Sequence, residues 1–88
     1  MILENLLNKY KKLTTDEHIK WMCDEILTWE MPDTMQIFKT SRWLGFIQGY
    51  LYAQKMRNVE ELKNETRGID GEFLDLSNQW GDPVSNAN

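Results

Sequence analysis

Few of the residue types that react with, bind or staple other groups occur in this 88-residue chain: one cysteine, one histidine and two prolines. The lone cysteine, Cys23, has no partner for an internal disulfide, which argues against a disulfide-stapled secreted domain and fits a reducing cytoplasm. His18 and Cys23 lie five residues apart, about 140° around a helix, so they do not converge on one metal ion. No stretch approaches ~18 uninterrupted apolar residues, so no membrane-spanning helix is expected. Met1-Ile2-Leu3-Glu4-Asn5 has no basic region ahead of an apolar run, which predicts no signal peptide. A basic excess is missing too. The net charge is −4, a poor match for nucleic-acid phosphates, so direct nucleic-acid binding is not expected.

What the chain does have is apolar content of 41%, enough for folding rather than disorder. Its length allows one domain at most, with a modest core that dimerisation or a partner would help. Four tryptophans, Trp21, Trp29, Trp43 and Trp80, are many for this length; each suits either a core or an interface anchor. Residues 1–68 carry all ten Lys and Arg and ten of the acids, whereas 69–88 carry Asp70, Glu72, Asp75 and Asp82 with no base. The division expected is a helical domain over 1–68 and an acidic C-terminal tail over 69–88, partly packed on the body by Ile69, Phe73, Leu74, Leu76 and Trp80. Such tails are usually solvated; one that docks on a basic partner would act as a nucleic-acid mimic or antitoxin-like binder.

The patterning is all-α: three main helices and a short fourth. Ile2, Leu3, Leu6, Leu7, Tyr10 and Leu13 form one helical stripe over 2–13, with Lys9, Lys11 and Lys12 in the last turn, where the helix dipole favours cations. Thr14-Thr15-Asp16-Glu17 matches a capping box led by Thr14, opening a second helix that runs to about Trp29. Ile19, Met22, Cys23, Ile26, Leu27 and Trp29 share its apolar arc. Trp21 falls on the opposite, polar face and is either a partner contact or covered by the first helix or the tail. Pro32 disfavours helix at Met31, and Pro32-Asp33-Thr34 reads as a turn in which Asp33 or Thr34 caps the next segment.

The third helix, over roughly 36–56, aligns Leu44, Ile47 and Leu51 between Trp43 and Tyr50. It is apolar over most of its circumference and is expected to be central. Gly45, Gly49 and Ala53 stack at i, i+4 and i+8 beside Phe46. An interior glycine costs a helix about 0.5–1 kcal/mol relative to alanine, and close approach of another backbone is the usual offset. The ridge is expected to face the first or second helix of the same chain, or a second subunit. Asn58 caps the short fourth helix, Val59 to about Thr66, with Glu61 at its third position and Gly68 just past its end; irregular structure is expected beyond.

No reactive constellation emerges. Gly45-Phe46-Ile47-Gln48-Gly49 fails as a phosphate cradle because bulky side chains fill the positions that need bare backbone. Asp24/Glu25 and Glu60/Glu61 diverge around their helices and make poor acid–base pairs. Lys39, Arg42 and Lys55 point in different directions and form no basic stripe. Catalytic, metal-binding and cofactor-binding residues are therefore expected to be none, and the chain is expected not to be an enzyme. The partner-contact or dimer candidates are Trp21, Arg42, Trp43, Gly45, Phe46, Gly49, Tyr50, Ala53 and Trp80.

Arg42-Trp43-Leu44-Gly45-Phe46-Ile47-Gln48-Gly49, followed by Val59-Glu60-Glu61-Leu62 and Arg67, resembles a group of small bacteriophage proteins with the pattern R-W-[LI]-G-[FY]-[IV]-Q-G and a second short helix. Met31-Pro32 and Phe38-Lys39 are similar as well, so the likeness covers about residues 20–67. The resemblance implies inhibition of a bacterial anti-phage defence of the BREX type by direct binding, with the large BREX ATPase BrxC as the partner. A structural or regulatory homodimer joined through the Gly45/Gly49 face is the alternative, compatible with the first because a dimer can be the inhibitor.

Overall fold

The computed structural model describes residues 2–29 and 34–79, with the side chains of residue 34 and residues 75–79 excepted. Four helices follow in order: α1 (Ile2–Leu13), α2 (Glu17–Thr28), α3 (Thr34–Ala53) and α4 (Val59–Gln79). No strand occurs among the described residues, and the all-α expectation is borne out. Each helix packs on two others: α1 on α2 and α4, and α3 on α2 and α4. The stripe expected in α1 buries Leu3, Leu6, Leu7 and Tyr10, while Ile2 is half-exposed. They meet Ile19, Met22, Cys23 and Ile26 of α2, Ile37, Leu44, Ile47 and Leu51 of α3, and Ile69 and Phe73 of α4 in one core cluster. Burying a side chain of that size contributes roughly 1.5–3 kcal/mol.

Three local expectations are corrected. Asp16, not Thr14, caps α2: its carboxylate accepts from the Ile19 N–H at 3.0 Å. Thr14 is buried, and its hydroxyl accepts from the Asp16 N–H at 3.0 Å, bracing the cap from outside the helix. α3 ends at Ala53 rather than near residue 56, through a Schellman turn: Met56 N–H donates to Leu51 C=O at 2.8 Å and Lys55 N–H to Tyr52 C=O at 3.0 Å. Lys55 occupies the left-handed position of that turn (φ 60°), where glycine is usual. Finally, α4 does not stop at Thr66. It continues through Gly68 and Gly71 to Gln79, because Ile69 and Phe73 reach the core one turn apart and their burial outweighs two glycines of low helix propensity. Residues 69–79 are thus helix rather than irregular chain.

The cap expected at Asn58 is present in full. Asn58 Oδ1 accepts from Glu61 N–H at 2.8 Å, and Glu61 Oε1 accepts from Asn58 N–H at 2.9 Å. The Pro32-Asp33-Thr34 turn and Trp80 lie outside the residues whose side chains are described.

Candidate functional site: the outward side of α3 and its flanks

The eight residues from Arg42 to Gly49 divide by helical phase into two sets. Leu44 and Ile47 are buried, and Trp43 and Gln48 are half-buried. Arg42, Gly45, Phe46 and Gly49 point outward and are exposed. The inward set has clear structural work. Leu44 and Ile47 fill the core, and Trp43 packs against it. The Gln48 amide donates to the Tyr10 hydroxyl at 3.2 Å and lies 3.4 Å from the Thr66 hydroxyl, joining α3 to α1 and α4.

The outward set makes no such core contact among the described residues. A Cβ added at Gly45 or Gly49 would meet nothing within 4 Å among the described residues. The expectation that this ridge seats α1 or α2 is therefore overturned, and α3 packs on α2 and α4 without being more central than the other helices. Ala53, the third member of the ridge, is exposed as well. Around it stand large apolar groups, with Met35 71%, Phe38 53%, Phe46 59% and Tyr52 53% exposed. Arg42 carries the charge at the middle of this face and makes no ion pair among the described residues. Tyr50, also a candidate, instead packs partly buried against the core.

On one flank of this face is an aromatic cluster. Trp29 and Trp43 meet edge to face at 4.7 Å, Trp21 lies 5.8 Å from Trp43, and His18 lies 5.5 Å from Trp21. The Lys39 ammonium sits 4.6 Å from the Trp29 ring centre and 5.7 Å from that of Trp43, within cation–π range. Trp21 stays 48% exposed, with the His18 and Trp43 rings beside it. The cluster brings Trp21 and Trp43 together with Arg42 and Phe46 on adjoining surfaces of α2 and α3.

On the other flank, between α3 and α4, is a groove of about 560 Å³. Tyr52, Val59 and Leu62 give it apolar walls, Gln48 and Thr66 a polar floor, and Lys63 and Arg67 a basic edge. Gly49 lines it too, so the missing side chain there keeps the groove open.

A partly buried polar network, invisible to the sequence reading, lies beneath. Tyr10 is fully buried and its hydroxyl donates to Glu65 Oε1 at 2.6 Å. Glu65 Oε2 stands 3.2 Å from Arg57 Nε and 3.7 Å from Lys9 Nζ. The Arg57 Nε–H is not aimed at that oxygen, so this contact is ionic rather than a hydrogen bond. Burial first, then the bond to Glu65, pushes the Tyr10 phenol well above its ordinary value. At the opposite end, Glu72 Oε2 accepts from the Leu3 N–H at 3.1 Å and so caps α1 from α4. The one sequence signal for this network was a tyrosine set in an otherwise aliphatic stripe. Its partners lie far along the chain and leave no local spacing.

Cys23 is buried in the core, where burial pushes its thiol up to about 11. No group of three or more His, Cys, Asp and Glu among the described residues is placed to hold a metal ion. No described helix is long and apolar enough to cross a membrane. No family model, no curated protein and no solved structure matches the chain.

Proposed function

We propose that this chain is a phage-encoded interaction protein that binds a host anti-phage defence protein and inhibits it stoichiometrically, acting in the host cytoplasm without cofactor or catalysis. The observation that supports it is the outward side of α3. Two interior glycines, where an added Cβ would meet nothing within 4 Å among the described residues, share one helix face with four large apolar residues that are each more than half exposed. Exposed Phe and Tyr around a central arginine match the composition of interface anchors, and the bare backbone at Gly45 and Gly49 permits close approach by a partner. The partner's identity rests on the resemblance of Arg42–Gly49 to small phage proteins, among them the anti-BREX inhibitor OrbA, and the target proposed is the BREX ATPase BrxC. Tagged chain purified from a BREX-bearing host is expected to bring the ATPase with it, and its expression to restore plaquing of a restricted phage. Phe46→Ala and Arg42→Ala are expected to abolish both. No recovery of any defence protein, with no plaquing rescue, would refute the proposal.

A second reading is a homodimer through the same face, favoured by an alternation of size along it. In an antiparallel pair of α3 helices set level at Gly45 and Phe46, Phe38 comes level with Ala53 and Arg42 with Gly49 of the other copy, so large residues meet small ones. Light scattering tests it. A wild-type chain that stays monomeric at high concentration, or a Gly49→Leu variant that dimerises equally well, removes this reading.

A further inference from the structure

We infer that the groove between α3 and α4 is a docking cleft for an acidic amphipathic helix presented by a protein partner. The inference rests on the protein-binding reading above but is indifferent to which protein the partner is. The groove follows α4 from Val59 to Arg67, about 12 Å at the helical rise, which matches two turns of a guest helix. Its walls of Tyr52, Val59 and Leu62 accept apolar anchors spaced at i, i+4 and i+7. Gly49, with nothing among the described residues within 4 Å of its missing side chain, lets the guest's backbone come close to α3.

Charge selects the guest. The groove's lining holds two cations, Lys63 and Arg67, and no carboxylate. Arg67 donates to the neutral Asn64 amide at 3.1 Å, which leaves its charge uncompensated. Among the described residues Lys63 pairs only with the exposed Glu60, at 3.9 Å, a separation at which an ion pair is weak in water. A guest with carboxylates along one edge of its apolar stripe finds both cations available. A guest with lysines there meets repulsion.

The test is a titration of the full, ¹⁵N-labelled chain with two synthetic helical peptides. Both carry leucines at i, i+4 and i+7; one has glutamates flanking them and the other lysines. The glutamate peptide is expected to shift the amides of Gly49, Tyr52, Val59 and Leu62. Lys63→Glu with Arg67→Glu is expected to weaken it at least tenfold and to turn the preference toward the lysine peptide. Gly49→Leu, which fills the groove from the α3 side, is expected to weaken both peptides. The inference is overturned if neither peptide shifts these amides, or if the two bind equally. It is likewise overturned if the same amides move on simple concentration of the free chain, since the occupant is then a second copy. Failure here is separable from failure of the proposed function. Plaquing rescue lost with Phe46→Ala but retained with the charge reversal defeats the groove alone, whereas a wild-type chain that gives no rescue leaves the titration informative.

Discussion

Tyr10 and Glu65, 55 residues apart in the chain, are joined by a 2.6 Å hydrogen bond that ties α1 to α4 beneath the surface. Glu65 also faces Arg57, whose side chain is only 9% exposed, and the Tyr10 hydroxyl accepts in turn from Gln48. Tyr10→Phe is therefore expected to remove a bond to a charged group and to cost about 1.5–3 kcal/mol in urea denaturation. A double-mutant cycle with Glu65→Gln is expected to return a coupling of about 0.5–3 kcal/mol. Additive effects would show that the pair is in contact without being coupled.

The same phenol predicts an alkaline limit to stability. Its native pKa lies above the ordinary 10 because burial and Glu65 disfavour the anion. Above about pH 10 the unfolded chain releases a proton that the native chain keeps, so the contribution is whole below that pH and shrinks as pH rises past it, by up to ~1.4 kcal/mol per unit. Wild type is expected to lose stability over that range more steeply than Tyr10→Phe. Tyrosinate absorbance from Tyr10 is expected to appear only with unfolding.

Cys23 offers a reporter of the opened state. It is buried in the core, and its thiol is raised from 9.0 to about 11, chiefly by burial and secondarily by Asp24, with Lys11 opposing. A thiol-specific disulfide reagent is expected to label it only as fast as the native state opens, and mild denaturant is expected to accelerate labelling in step with unfolding. Rapid labelling of native protein at pH 8 would mean that α2 opens locally.

How much of this was legible in the sequence depends on whether the signal was local. The buried arc Ile19, Met22, Cys23 and Ile26 and the Asn58–Glu61 cap are short-range patterns, and both appear as read. The Thr14 cap fails because two polar residues two positions apart compete for one role, and Asp16 takes it while Thr14 is its buried support. α4 runs past the stop that Gly68 suggests, because Ile69 and Phe73 beyond it continue the helical stripe begun by Leu62. For the candidate site, the direction of Gly45 and Gly49 is what the sequence does not give: composition says that a helix is apolar all round, not which side its neighbours leave uncovered. The Tyr10–Glu65–Arg57 network leaves only one local trace, the tyrosine in an aliphatic stripe, because Glu65 lies 55 residues further along the chain.

The extension of α4 can be tested by contrasting neighbours. Phe73 is 7% exposed and Leu74 is 62% exposed. Phe73→Ala is expected to destabilise by about 3–5 kcal/mol through transfer and cavity terms, and Leu74→Ala to stay within about 0.5 kcal/mol of wild type. Equal small effects would mean that this part of the helix does not pack on the body.

The turn after α3 carries a cost of its own. Lys55 holds φ at 60°, a conformation that disfavours a residue with a Cβ by roughly 1–2 kcal/mol. Lys55→Gly relieves that strain but gives the unfolded chain more freedom, so a net gain of about 0.5–1 kcal/mol is expected in thermal unfolding. Lys55→Ala, which keeps the Cβ, is expected to gain nothing.

The glycines of α3 provide the sharpest separation of folding from binding. Gly45, Gly49 and Gly71 lie inside helices, and a Cβ at any of them meets nothing within 4 Å among the described residues. Changing each to alanine removes a helix penalty without creating a clash, so each is expected to stabilise the chain by about 0.5–1 kcal/mol. If the bare backbone of α3 serves a partner, Gly45→Ala and Gly49→Ala are expected to weaken binding while raising the melting temperature. Gly71→Ala is expected to raise the melting temperature with binding unchanged. A stabilised Gly45→Ala/Gly49→Ala chain that still rescues phage plaquing at wild-type dose would show that the crest of α3 is not where the partner comes close, and would leave the two glycines without a purpose.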